Sequence, residues 1–175
     1  MTLSVVYVAE TGHVVGAQAL TGVDAATDLA ALVGTELPLR KSLDTGEIAV
    51  VPLRARLLGA GPVDDEPGVF ADPLAFGADL EDDVLKPALL RLAPWDDPLE
   101  LNEKTFDVTV PVAVTQPTRV VVLIADDPDA HLLTGEIPAE STTLKFQVDL
   151  KKDDVHAVLV LVAGQVGRFE ALKVS

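Results

Sequence analysis

The chain is 175 residues long and carries 28 acidic against 13 basic residues, a formal net charge of −15, with 49% apolar residues and no cysteine. That length suits one large domain or two small ones, able to bury about 70% of the unfolded surface without a disulfide or a metal. The charge repels phosphate backbones and anionic lipid, which argues against nucleic acid and membrane partners, and the missing thiols exclude disulfides and thiolate chemistry.

Residues 1–58 read as an N-terminal β segment. Ser4–Ala9 and Val14–Leu20 are strand-like, and the Gly-containing turn between them is a hairpin signal. A helix is predicted over Asp24–Val33: Asp24 caps it, Ala26, Leu29, Ala30 and Val33 recur at helical spacing, and Gly34 stops it. Glu36–Leu43 and Glu47–Leu58 flank Asp44-Thr45-Gly46, a second hairpin signal. Within the latter strand Leu53, Ala55 and Leu57 alternate with Pro52, Arg54 and Arg56, giving one buried and one cationic face.

Residues 59–101 hold six of the 12 prolines and no long periodicity. Asp82–Leu92 is a candidate short helix only if it starts at Pro87. The apolar residues Val69, Phe70, Phe76, Leu89, Leu90 and Trp95 are too many for a solvated linker. The stretch is therefore expected to be an extended Pro-rich arm packed on its own domain or on a neighbouring subunit.

Residues 102–175 predict an antiparallel β-sandwich. Phe106, Val108, Val110, Val112 and Val114 alternate with polar or small residues, and Pro111 suggests an edge strand. Val120–Ala125 and Ala157–Ala163 are continuous apolar runs, as in central strands covered on both faces. His131–Ile137, Leu144–Leu150 and Arg168–Val174 supply further strands between regular turns. The segment resembles an immunoglobulin-like or fibronectin-like sandwich in strand count only; it has neither a central-strand Trp nor a Cys pair. The fold class expected is thus mostly β, with one short helix in the N-terminal segment.

Three acidic clusters are candidate cation sites. Asp126, Asp127 and Asp129, in a turn before His131, could clasp Ca²⁺ with backbone carbonyls completing the shell; the alternative is a solvated Asp-Pro turn. The loop lacks the Gly and Glu of an EF-hand. Asp64-Asp65-Glu66 reads as a turn, and Asp79, Glu81, Asp82 and Asp83 as an acidic helix start. His13, His131 and His156 show no metal-ligand spacing. The serines lie outside G-x-S-x-G, no phosphate-binding loop is present, and Gly59-Ala60-Gly61 lacks the third Gly of a dinucleotide motif. With aromatics at 4%, sugar stacking has few rings to use.

Trp95, the single Trp, sits between Pro94 and Pro98. It anchors the arm either in a partner's groove, together with Phe70 and Phe76, or in the chain's own sandwich. The expected role is a non-enzymatic structural or protein-protein interaction subunit of a larger assembly, with a protein partner or a second copy. Subunits of phage-like or contractile particles share this build at the level of fold analogy. The rival roles are a β module binding Ca²⁺ or carbohydrate, and a hydrolase with a tertiary His/acid site. Residues 1–9 carry no basic leader and the longest apolar run is too short to cross a bilayer, so the expected location is the cytoplasm or a particle assembled there.

Overall fold

The computed structural model describes residues 2–24 and 26–175. Met1, where the predicted N-terminal segment begins, and Ala25, within the predicted helix, lie outside the described residues. In chain order the elements are β1 (Thr2–Val8), β2 (Val14–Leu20), α1 (Leu29–Val33), β3 (Glu36–Ser42), β4 (Ile48–Arg54), β5 (Leu58–Val63), α2 (Gly68–Ala71), β6 (Phe76–Glu81), β7 (Val84–Arg91), β8 (Leu99–Leu101), β9 (Thr105–Thr109), β10 (Thr118–Asp126), β11 (Asp129–Ile137), β12 (Thr143–Gln147), β13 (Val155–Val162) and β14 (Arg168–Lys173). The protein is mostly β, as the alternation required. Two units divide it. One holds the residues up to Leu37, Leu53–Pro94 and Ala163–Gly167; the other holds Pro38–Pro52, Trp95–Val162 and Arg168–Ser175.

In the first unit β1 is the middle strand of an antiparallel sheet ordered β2-β1-β5. Leu3, Val5 and Tyr7 alternate along β1 into a core completed by Val14, Val63, Val69, Phe76 and Ala78. Val6 pairs with Gly16 and Tyr7 with Val14, so Val15 is the extra residue of a bulge. Gly59 faces Tyr7 across the β1–β5 pair. A methyl group there would sit 2.6 Å from the Tyr7 ring, which is why position 59 is a glycine.

The helix is shorter than predicted. Asp28, not Asp24, caps it by accepting from the Ala30 N–H at 3.1 Å, and Gly34 ends it at φ 68° with its N–H on the Ala30 carbonyl. The residues before Asp28 offer little apolar surface to bury, so packing gives a longer helix no support. The strand predicted over Glu47–Leu58 also breaks: after Arg54, residues Ala55–Leu57 form a 3-10 turn and β5 begins at Leu58.

The segment 59–101, expected as an extended packed arm, folds into strands. It supplies β5, β6 and β7 to the first unit, and Trp95 and β8 to the second. The candidate helix over Asp82–Leu92 is strand β7 instead. Asp82 and Asp83 adopt φ 49° and 62° between the paired Glu81 and Val84, a two-residue hairpin turn of the mirror type that Asp tolerates. The acidic cluster is thus a turn rather than a helix start. Pro87 falls where the β6–β7 register slips between Ala78–Leu89 and Leu80–Leu85, a position that asks no ladder hydrogen bond of it.

The second unit is an antiparallel β-sandwich. A four-stranded sheet, β11-β10-β13-β14, faces a three-stranded sheet, β12-β9-β8. Val120, Val122 and Ile124 of β10 and Val158, Val160 and Val162 of β13 pack with Phe106, Val108 and Phe146 from the other sheet. Each such burial contributes about 1.5–3 kcal/mol. Val121, Leu123, Leu159 and Leu161, on the opposite face of the same two strands, are buried as well. This explains the uninterrupted apolar runs. One strand assignment changes: β9 is central rather than at an edge. It ends at Thr109, so Pro111 lies past the ladder and costs it no donor.

Candidate functional site

The β10–β11 hairpin turns at Asp126–Asp129, which pair with each other. On the other side of β10, β13 begins at Val155 and pairs in a register that sets Val158 opposite Ile124. His156 therefore starts β13 beside the end of β10, and its Nδ1 lies 2.7 Å from the Ala125 carbonyl. A carbonyl only accepts, so Nδ1 carries the proton. In the neutral ring Nε2 is then an acceptor; it is screened from solvent and has no partner among the described residues. An acceptor left in that state costs about 1–3 kcal/mol.

The tip of the β3–β4 hairpin, which belongs to the same unit, lies across from these strand ends. Between them is a groove of about 520 Å³, within the range of binding clefts. Ile48, Val50 and Val155 line it while 63%, 40% and 38% exposed. Glu47, Asp126 and Asp127 bring carboxylates to it, His156 lines one wall, and no Lys or Arg does. The Asp126 carboxylate is already engaged: its Oδ2 is 2.8 Å from His131 Nε2.

Among the described residues, no group of three or more His, Asp or Glu side chains converges as a metal-binding set. Asp126, Asp127 and Asp129 share a turn, but that turn brings no such group together. The residues expected to face a partner separate. Trp95 lies in the sandwich core, 9% exposed, with the Arg168 guanidinium 4.5 Å above its ring. Phe76 is buried in the first unit's core beneath Arg91. Both are internal anchors, because burial in their own units already removes their large apolar surfaces from water. Only Phe70, 48% exposed, presents its ring to solvent. Among the described residues, no helix is long and apolar enough to cross a membrane.

Sequence reasoning missed Glu47, Ile48, Val50, Val155 and His156. A signal existed for two of them: Ile48 and Val50 alternate immediately after the Asp-Thr-Gly turn, at a hairpin tip where exposure is common. Comparison with known proteins finds no matching family model, no matching curated protein and no matching solved structure.

Proposed function

We propose that the protein is a non-enzymatic interaction subunit of a larger assembly, a particle built in the cytoplasm, and that a partner protein seats on the groove of the second unit. The observation that carries this reading is the convergence of exposed Ile48, Val50 and Val155 on one cleft of an otherwise acidic protein. Exposed β-branched residues gathered in a concave site are surface that association removes from water, at about 25 cal/mol per Å².

Light scattering on the full chain, expressed with the products of neighbouring genes, tests it. The expected mass exceeds that of one chain, and Ile48→Asp combined with Val155→Asp returns it to one chain. A doubly substituted protein that still assembles overturns the role of the groove. A second reading competes for the same turn, because Asp126 and Asp127 line the groove. If the turn binds Ca²⁺, calorimetric titration releases heat that Asp127→Asn and Asp129→Asn abolish.

A further inference from the structure

We infer that the groove receives an extended segment of the partner carrying one lysine or arginine flanked by aliphatic residues; this rests on the interaction reading above. The lining residues combine two kinds of chemistry. Ile48, Val50 and Val155 are aliphatic and exposed, whereas Glu47, Asp126 and Asp127 add carboxylates, with no lysine or arginine among the described lining residues. A lysine or arginine side chain meets both demands, since its methylene stem lies along apolar surface while its head stays with the carboxylates.

Charge also decides against a second copy of this chain. Self-association would bring one net charge of −15 against another, with Glu47 on the approaching hairpin tip. A basic segment is instead drawn in by the field of the whole protein.

The test uses the full chain labelled with ¹⁵N and three probes: acetyl-Leu-Lys-Leu-amide, the same peptide with norleucine in place of lysine, and hexylammonium. The lysine peptide is expected to shift the amide signals of Val50, Asp126, Val155 and His156. The norleucine peptide should bind about tenfold more weakly, the fold-change for one charge-assisted contact of roughly 1.4 kcal/mol. Glu47→Gln with Asp127→Asn should remove that difference, as should raising the salt concentration.

Equal binding of the lysine and norleucine peptides overturns the cationic part and leaves the interaction reading standing. So does lysine-peptide binding elsewhere on a protein whose assembly still depends on Ile48. Hexylammonium binding as tightly as the lysine peptide replaces the peptide occupant by a small amine, which also overturns the inference. If Ile48→Asp with Val155→Asp changes neither peptide binding nor assembly mass, both readings fall together.

Discussion

The two units each hold a histidine turned inward, and the two are treated differently. In the first unit His13 is fully buried, with Nε2 2.7 Å from the Gln165 carbonyl and Nδ1 2.9 Å from the Thr11 hydroxyl. The neutral ring is satisfied at both ends: Nε2–H donates to Gln165, and Nδ1 accepts from Thr11. Burial pushes its pKa down to about 4, partly opposed by the Gln165 hydrogen bond. In the second unit His156 is half-buried and satisfied at one nitrogen only. A ring with both nitrogens occupied is a fastener. A ring held at one nitrogen only is a looser fastener.

The largest expected effect probes the core of the second unit. Trp95→Ala should lower stability by about 3–5 kcal/mol in urea denaturation. The assembly mass should stay the same, since the ring faces its own sandwich. Next, His13→Ala should cost about 2–4 kcal/mol, because it opens a cavity and strands the Gln165 carbonyl. A loss below 1 kcal/mol would break the fastener reading.

The pH dependence comes third and has a definite sign. The folded pKa of about 4 lies below the ordinary histidine value of 6.5, so the unfolded chain takes up the proton first. His13's contribution is therefore complete above about pH 6.5 and is lost as pH falls through the folded value. The full loss is about 3 kcal/mol, following from the gap at 1.36 kcal/mol per unit. Denaturation curves at pH 7, 5.5 and 4.5 should show this decline, and His13→Phe should flatten that part of it. The smallest effect belongs to His156→Phe. It should shift stability by less than about 1 kcal/mol, since an unmet acceptor disappears along with one hydrogen bond. A large loss of stability there would make the two histidines alike.

Where a strand sits in a two-layer core, its chemistry was readable. Phe106 and Val108, the covered run of β10 and the covered run of β13 all needed no tertiary knowledge, because period-two and continuous apolar patterns are local properties. β5 was illegible for the opposite reason. Its glycines answer to distant side chains, Gly59 to the Tyr7 ring and Gly61 to Leu85, contacts that the local sequence does not announce. β7 was hidden by Pro87, which only the register slip accommodates. The groove was illegible because it joins a hairpin tip to strand ends remote in sequence, while the one Trp drew attention to a buried position.

The first unit is not closed by its own early residues. Gln165, which holds His13, lies in the Ala163–Gly167 turn between β13 and β14, and that turn belongs to the first unit. A nascent chain leaving the ribosome must therefore hold the β1–β2 hairpin without its clasp until Gln165 has been translated. Such late closure is entropically slow, as for any native topology rich in distant pairings. It also means that no stop codon placed at Pro94 would release a finished N-terminal unit.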